Sequence, residues 1–238
     1  MFKKICLWST PRNFSTALMY SFGQRKDMKV FDEPLYAHYL LKTGIMHPGR
    51  KTVLANMENN GSLVISKNIL KNRQHHAFHK LMSHFLIDLN LDFLKYVTNI
   101  LLIRNPFEVI ASYSKVVKNP NIDMIGIKKQ YELCNYMRLN KIDFVLLDSA
   151  LLTENPSKIL KKICDLTGLS YCDSMLSWKK GPKAYDGVWS KYWYNSLHNT
   201  TGFIRKDKDA VLKLNKKNTI LAEKCMFYYD SLLKYSIN

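Results

Sequence analysis

A nearly continuous apolar run near the middle of the chain constrains the fold more than any other stretch. The run from Tyr96 to Ile103 is apolar at most positions and ends at Arg104-Asn105-Pro106. It lacks the strict alternation of a half-exposed strand, so it is typical of a parallel strand covered on both faces. Pro106 suits the first turn of a following helix. The sequence therefore predicts a parallel sheet with helices on both sides.

Shorter segments repeat this order of strand and helix along the chain. Further strands are predicted at 5–8, 29–31, 62–66 and 144–147, and apolar residues have helical spacing at 35–42, 75–86, 124–139, 156–166 and 208–234. Strands that alternate with helices indicate a parallel sheet with right-handed crossovers. We expect an α/β fold with three layers, in which a central, mostly parallel sheet of about five strands is flanked by helices.

The chain shows no internal repeat and no low-complexity linker, so residues 1–238 are predicted to form a single domain. Residues 178–205 are rich in aromatic, Gly, Asn and Ser residues and show little periodicity. A connection of this length often covers a site. We therefore expect this segment to cover the functional site and residues 206–238 to form a C-terminal helical region.

The composition restricts the partners of the chain only in part. A formal net charge of +17 is compatible with a nucleic acid, an anionic membrane surface or an anionic small ligand. The lysines are dispersed, which a lysine-rich proteome explains equally well. No apolar run approaches the ~20 residues of a membrane span, and the five cysteines form no CxxC pair and accompany no secretion signal. We expect a cytoplasmic protein with neither a nucleic-acid nor a membrane partner; no oligomer signal is visible.

The first strand leads into a polar loop that is typical of an anion-binding site. The apolar run at 5–8 is followed by the loop Ser9–Asn13, and Ser15 and Thr16 suit the start of a helix. Free amides at a helix N-terminus, together with the helix dipole, favour a bound anion. Arg12 adds a fork of donors that suits phosphate or sulfate. The alternative is an ordinary strand-to-helix turn with a surface arginine.

A second anion signal follows the central apolar run. Arg104 stands where that strand ends, and Ser112 lies about two turns into the next helix. Alternatively, Arg104 only pairs with Glu108, and Ser112 is a packed or surface serine. The sequence contains no G-x-x-x-x-G-K-[ST] and no G-x-G-x-x-G, so neither a triphosphate P-loop nor a dinucleotide fold is supported.

The two anion signals resemble motifs of one known family. The segment from Trp8 to Thr16 resembles the 5′-phosphosulfate loop of sulfotransferases that use 3′-phosphoadenosine 5′-phosphosulfate (PAPS), and Arg104 with Ser112 resembles their 3′-phosphate motif. Segments at 32–38, 43–49, 79–84, 176–182, 186–189, 192–194 and 199–203 are similar to a sulfotransferase-like family of bacteria and plants. The resemblance implies a P-loop-like fold and transfer of a sulfuryl group from PAPS to a hydroxyl or amine of a small-molecule acceptor.

The resemblance also implies which residues bind PAPS. The implied set is Ser9, Pro11, Arg12, Asn13, Phe14, Ser15, Thr16, Arg104, Ser112, Thr201, Gly202 and Phe203. Arg12 occupies the region where many relatives use lysine, and it would act catalytically by stabilising the leaving oxygen. This design requires no metal. A metal site at His75, His76 and His79 is disfavoured because no carboxylate or cysteine completes the set.

The acceptor hydroxyl also needs a base. Glu33 is the first candidate, because some relatives place a catalytic glutamate after the second strand and burial would raise its pKa. His84 is the second, since histidine titrates near neutrality, and Lys80 is a third. The alternatives are a helix N-terminal carboxylate, a hydrogen-bonded helix histidine and a solvated lysine. The tryptophans Trp178, Trp189 and Trp193 either pack in the interior or, for one of them, flank the adenine or the acceptor.

Three other functions remain open at the level of sequence. A phosphotransferase or nucleotide-binding protein on the same fold would bind ATP with magnesium, and the missing GK[ST] counts against it. A basic nucleic-acid-binding module would show a steep salt dependence, but no known nucleic-acid motif is present. A non-catalytic relative that only binds the nucleotide is the third alternative.

Overall fold

Five strands form one parallel sheet. The computed structural model describes residues 2–71, 74–204 and 212–237, and its strands are β1 (Lys4–Ser9), β2 (Met28–Asp32), β3 (His76–Met82), β4 (Thr98–Ile103) and β5 (Phe144–Asp148). Their order across the sheet is β2-β3-β1-β4-β5, and every neighbouring pair is parallel. Helices flank the sheet, so the predicted fold class is confirmed.

Helices connect the strands, and six of the described helices begin at an Asn or Asp whose side chain caps the first turn. They are α1 (Ser15–Phe22), α2 (Tyr36–Thr43), α3 (Arg50–Asn56), α4 (Gly61–Val64), α5 (Pro106–Tyr113), α6 (Ile122–Ile125), α7 (Ile127–Leu139), α8 (Ser149–Glu154), α9 (Pro156–Thr167), α10 (Ser190–Trp193), α11 (Asn195–His198) and α12 (Lys216–Leu233), with a π-helical turn at Ile65–Ile69 and 3₁₀ turns at Ser83–Phe85, Asp92–Tyr96 and Asp173–Leu176. Asn105 and Asn155 cap α5 and α9 with their side chains, and a proline follows each cap.

The central strand β1 buries side chains on both faces of the sheet. Cys6 and Trp8 belong to a core that includes α2, α7 and α12, whereas Ile5 and Leu7 belong to a second core that includes α1 and α9. Successive residues of a strand point to opposite faces, and all four of these side chains are fully buried. The sheet therefore lies between two helical layers.

The third strand lies later in the chain than the sequence predicts. The predicted strand at 62–66 is wrong, because these residues form α4 and the start of the π-helical turn. Asn60 caps α4 by accepting hydrogen bonds from the amides of Ser62 and Leu63 at 3.0 and 3.2 Å. The Asn60-Gly61 pair is therefore a helix start and not the turn before a strand.

The predicted amphipathic helix at 75–86 is also wrong, because β3 and a 3₁₀ turn occupy this stretch. Its apolar residues have helical spacing, but β3 lies between β2 and β1, where polar side chains are buried as well. His79 and Lys80 are both 0% exposed. The ring of His79 stacks on Phe31 with centroids 4.8 Å apart. Partners distant in sequence therefore bury these residues, which a local periodicity does not reveal.

The chain after residue 177 has short helices and one long one. α12 packs against α5 and α7, and the predicted start of this helix at 208 lies outside the described residues. Residues 178–204 contain α10 and α11 and are otherwise irregular, whereas residue 205 is not described. In the described part of the chain, no helix has both the length and the apolar character that a membrane crossing needs.

Truncation of a buried side chain in β4 should destabilise the whole fold. Leu101 of β4 is fully buried, so we expect Leu101→Ala to lower the free energy of unfolding by about 2–5 kcal/mol through lost burial and a residual cavity. Urea denaturation measures this change. Leu139→Ala is the matched control, because Leu139 is 84% exposed, and it should change the free energy by less than about 0.5 kcal/mol. Equal effects of the two variants would contradict the described packing.

Candidate active site

A cavity of about 390 Å³ opens at the edge of the sheet where the parallel strands end. Open parallel sheets place their ligands at this edge. The predicted site residues that line the cavity are Pro11, Arg12, Asn13, Phe14, Ser15, Thr16, Glu33, Lys80, His84, Arg104, Ser112, Gly202 and Phe203. The structure thus brings the two anion motifs and the three candidate bases to one place, and only Ser9 and Thr201 of the predicted set lie outside the lining.

The loop between β1 and α1 has a constrained backbone. Arg12 and Phe14 have left-handed φ values of 63° and 66°, and such conformations cost non-glycine residues roughly 1–3 kcal/mol each. Asn13 between them is fully buried, and its side-chain amide donates to the Leu102 carbonyl at 2.6 Å. This contact fixes the loop so that α1 begins at Ser15. The first amides of a helix have no partner within the helix and are free for an anion.

Two arginines lie side by side above this loop. Arg12 donates from Nε to the Ser112 hydroxyl at 2.9 Å and from Nη1 to the Trp193 carbonyl at 3.1 Å. Arg104 donates from Nε to the Glu108 carboxylate at 2.9 Å and from Nη1 to the Arg12 carbonyl at 2.6 Å. Burial and then the charge of Arg104 lower the pKa of Arg12, yet a guanidinium stays charged. Arg104 therefore both pairs with Glu108 and lines the cavity.

A buried ion cluster lies beside the arginines. The ammonium of Lys80 donates to Asp32 Oδ1 at 2.9 Å, to Glu33 Oε1 at 2.5 Å and to the Tyr194 hydroxyl at 2.6 Å. These bonds use all three of its N–H groups. Lys80 is 0% and Glu33 5% exposed, so the alternative of a solvated lysine is wrong. Glu33 adopts a left-handed φ of 42°, which turns the chain from β2 toward α2.

Burial and charge set the protonation of this cluster in opposite directions. Burial raises the pKa of Glu33, and the opposing charge of Lys80 offsets only part of that rise, to which Asp32 adds. Burial by itself lowers the pKa of Lys80, but the charges of Asp32 and Glu33 raise it by more. Lys80 is therefore a stable cation, and Glu33 takes up a proton more readily than an exposed glutamate does.

His84 lies in the 3₁₀ turn after β3, not on the predicted helix, and its ring edge contacts Tyr39. Burial, with a smaller contribution from His47, lowers the pKa of His84 to about 3. At neutral pH its imidazole is therefore uncharged and only weakly basic. His47 also lines the cavity, and its Nδ1 forms a 2.9 Å hydrogen bond with the Tyr36 hydroxyl.

The two predicted site residues outside the cavity lining, Ser9 and Thr201, lie inside the sheet and at the protein surface, respectively. The hydroxyl of Ser9 donates to the Leu81 carbonyl at 3.3 Å inside the sheet. Thr201 is exposed, and the neighbouring Thr200 lines the cavity in its place. The Thr200 hydroxyl accepts from the indole N–H of Trp178 at 3.1 Å. Residues 178–204 thus reach the cavity at Thr200, one residue before the Thr201 that the sequence motif predicts.

Sequence reasoning assigned no role to Asp32 or Tyr194. The Tyr194 hydroxyl lies 2.9 Å from both oxygens of Asp32 and accepts from the indole of Trp189 at 3.2 Å. The sequence did contain one signal for a partner of Asp32. Asp32 and Glu33 are adjacent carboxylates at the end of a buried strand, and such a pair needs a nearby cation. The position of Tyr194 next to them depends on how the covering segment folds back, which no local pattern encodes.

The described residues include no group of three His, Cys, Asp or Glu side chains that could hold a metal ion. The three histidines considered for a metal therefore form no such group. His76 instead accepts a hydrogen bond from the Lys3 amide at 2.9 Å and lies 3.8 Å from Asp27.

Comparison with known proteins identifies the family. A family model described as a sulfotransferase domain matches residues 3–234. The chain belongs to the sulfotransferase family. The resemblance seen in the sequence is thus confirmed. The branched-chain-amino-acid aminotransferase-like protein 1 of Arabidopsis thaliana is 35% identical over 198 residues, which are 82% of this chain and 36% of that protein. The chain thus spans about a third of the length of the curated relatives it matches, a second of which is 33% identical.

Solved structures show the same fold at low identity. A sulfotransferase from Alicyclobacillus acidocaldarius is 8% identical with a TM-score of 0.56, covering 100% of this chain and 98% of its own. A retinol dehydratase in complex with androsterone and the inactive cofactor PAP is 13% identical with a TM-score of 0.50, covering 98% of this chain and 81% of its own. These similarities support a P-loop-like sulfotransferase fold.

The raised pKa of Glu33 predicts a pH-dependent stability. The folded protein holds the carboxyl proton of Glu33 more tightly than the unfolded chain does. The protonated carboxyl therefore contributes its full stabilisation of the folded state below the unfolded pKa of 4.5, and this contribution is lost as pH rises through the native pKa. The stability of the wild type relative to Glu33→Gln should therefore fall as pH rises above 4.5, by about 1.4 kcal/mol for each unit of raised pKa.

Urea unfolding between acid and mildly alkaline pH measures this difference. Glu223→Gln is the matched control, because Glu223 is exposed on α12, and it isolates the effect of burial. A wild type that gains stability over Glu33→Gln with rising pH would contradict the raised pKa.

Proposed function

We propose that the protein transfers a sulfuryl group from PAPS to a hydroxyl or amine of a small-molecule acceptor. The observation that carries this proposal is one cavity lined by two half-buried arginines and by a buried carboxylate of raised pKa. The arginines suit a ligand with phosphate or sulfate at two positions, and the carboxylate suits removal of a proton. Family membership and the PAP-bound retinol dehydratase support the same choice of donor.

The residues present fit the two charged ends of PAPS. We assign the loop amides, Arg12, Ser15 and Thr16 to the 5′-phosphosulfate, because they surround the N-terminus of α1. We assign Arg104 and Ser112 to the 3′-phosphate. The hydroxyl of Ser112 already contacts Arg12, so the two subsites adjoin. Pro11, Asn13 and Phe14 shape the loop, and we assign Gly202 and Phe203, which line the cavity, to the adenine; Ser9 and Thr201 lie outside the lining and would act only through these neighbours.

Glu33 is the proposed base of the transfer. The acceptor proton moves to Glu33 as the acceptor oxygen or nitrogen bonds to sulfur, and the bond from sulfur to the bridging phosphate oxygen breaks. Charge then develops on the departing phosphate, where Arg12 stabilises it. Lys80 is protonated and cannot serve as a base; it orients Glu33 through their 2.5 Å hydrogen bond. The low pKa of His84, about 3, makes it the weaker candidate.

Loss of Arg104 should weaken binding of the reaction product. We expect Arg104→Ala to reduce the affinity for adenosine 3′,5′-bisphosphate by about 1.5–3 kcal/mol, because charged hydrogen bonds are lost. Isothermal titration calorimetry measures this loss. Arg138→Ala is the control, since Arg138 is exposed and its guanidinium stacks on Tyr235, away from the cavity. A wild type that shows no binding at high micromolar bisphosphate would contradict the proposed donor.

Loss of Glu33 should slow catalysis without preventing nucleotide binding. We expect Glu33→Gln to lower kcat by roughly 10²–10⁴-fold, the usual contribution of a general base, with unchanged affinity for the bisphosphate. Steady-state transfer of ³⁵S-labelled sulfate from PAPS to an acceptor measures the rate. The control Glu223→Gln should retain full activity, and a fully active Glu33→Gln would exclude Glu33 as the base.

A further inference from the structure

Two consecutive residues of the segment 178–204 contact both the donor loop and the ion cluster. The backbone carbonyl of Trp193 accepts a hydrogen bond from Arg12 Nη1 at 3.1 Å, and the hydroxyl of Tyr194 accepts one from the Lys80 ammonium at 2.6 Å. Arg12 belongs to the proposed donor subsite, and Lys80 contacts the proposed base. One short stretch of this segment therefore links the two parts of the cavity that group transfer must bring together.

The Tyr194 hydroxyl uses its full hydrogen-bonding capacity. It accepts from Lys80 and, at 3.2 Å, from the indole N–H of Trp189, and it donates to Asp32, whose two oxygens are each 2.9 Å away. A phenolic hydroxyl has one proton to donate and two lone pairs to offer. Because Tyr194 is only 6% exposed, water does not compete for these positions. The hydroxyl is therefore held in one orientation.

The same segment is attached to the fold by further hydrogen bonds that do not involve Tyr194. The Gly187 amide donates to Asp32 Oδ2 at 3.0 Å, and the adjacent Asp186 accepts from the hydroxyl of Tyr20 on α1 at 2.6 Å. These bonds hold the segment against the end of β2 and against α1. A change confined to the Tyr194 hydroxyl should therefore leave the segment in place.

The titratable groups that act on Glu33 come from four elements, and they are Asp32 at the end of β2, Lys80 on β3, Tyr36 on α2 and Tyr194 in the segment 178–204. Burial raises the pKa of Glu33, the charge of Lys80 lowers it and the charge of Asp32 raises it. Hydrogen bonding by Lys80 and Tyr194 also lowers it. Tyr194 and Asp32 thus act on Glu33 in opposite directions.

Three acceptors fix the position of the Lys80 ammonium. Its three N–H groups go to Asp32, Glu33 and the Tyr194 hydroxyl. Without the hydroxyl, one N–H is left unsatisfied in a buried site, which is costly. The ammonium then moves to satisfy it and loses its alignment with Glu33. The contact between Lys80 and Glu33 therefore depends on a hydroxyl from a distant part of the chain.

We propose that Tyr194 is a positioning residue for Glu33, because its hydroxyl, anchored on Asp32, holds the Lys80 ammonium against the base. This inference rests on the proposed role of Glu33 and adds a residue that acts through Lys80. Tyr194 is not itself a base, since burial and the charges of Asp32 and Glu33 raise its pKa far above the ordinary value. The segment that contacts Arg12 at the donor loop thus also sets the ionisation of the base.

The ionisation of Glu33 tests this role without any turnover. The chain contains six glutamates, and in protein labelled with ¹³C at their carboxyl carbons the NMR resonance that is lost in Glu33→Gln belongs to Glu33. We expect Tyr194→Phe to raise the pKa of Glu33 by about one unit, which is the worth of a typical hydrogen bond. Tyr192→Phe is the matched control, because Tyr192 lies on the same helix α10 but outside the cavity lining, and it should leave the titration unchanged.

A second variant of the cluster should shift the titration in the opposite direction. Asp32→Asn keeps the shape of the side chain and one acceptor oxygen but removes a negative charge, so it should lower the pKa of Glu33. Opposite shifts from two variants of one cluster cannot come from loss of the fold. If Tyr194→Phe does not fold, Asp32→Asn still tests whether this cluster controls Glu33.

Calorimetry with adenosine 3′,5′-bisphosphate separates this role from donor binding. Tyr194→Phe should keep the wild-type affinity, because Arg12 contacts the backbone of Trp193 and not the ring of Tyr194. A pKa of Glu33 that does not rise in Tyr194→Phe, or does not fall in Asp32→Asn, overturns the positioning role alone. A wild type that binds no bisphosphate overturns the proposed donor, whereas the Glu33 titration needs no nucleotide and still decides whether Tyr194 controls this carboxylate. Full activity in Glu33→Gln overturns the base and the positioning role together.

Discussion

The ammonium of Lys80, enclosed by Asp32, Glu33 and the Tyr194 hydroxyl, is the interaction on which the site depends. It joins β3 to the end of β2 and, through Tyr194, to residues 178–204 within one cluster. Removing one partner of a buried ion pair leaves an uncompensated charge and costs about 3–5 kcal/mol, so the members of the cluster hold each other in place. The same cluster holds Glu33 at the cavity, where burial raises its pKa above that of an exposed carboxylate although the charge of Lys80 offsets part of the rise.

The parallel sheet brings the remaining groups to this cluster. Arg12 follows β1 and Arg104 follows β4, and these strands are neighbours, so the arginines meet at one edge. Both guanidinium groups are already oriented by hydrogen bonds to Glu108, Ser112 and two backbone carbonyls. A cation that is already oriented loses little entropy when an anion arrives. Preorganisation of this kind is what in-line group transfer requires, because the reaction needs charge stabilisation and alignment more than covalent assistance.

Local sequence patterns predicted four of the five strands and the loop after the first, because those signals lie within a few residues. They failed at residues 75–86, where Phe78, Leu81 and Phe85 have helical spacing while His79 and Lys80 are buried by partners elsewhere in the chain. The cavity lining was predicted largely through motifs, since the amides and arginines at strand ends follow from local order. The position of Tyr194 was not predicted, because it depends on how residues 178–204 fold back over the sheet.

The sequence by itself determined the α/β architecture and the two anion motifs, because apolar runs, caps and strand-end arginines are local features. Only the tertiary structure decided which charges meet. It buried Lys80 between two carboxylates, so a residue that the sequence left as either a candidate catalytic group or a solvated lysine is a buried, ion-paired cation. It also buried His84, which lowers its pKa to about 3 and favours Glu33 as the proposed base. Protonation depends on burial and on neighbours distant in the chain, and these are properties of the folded molecule.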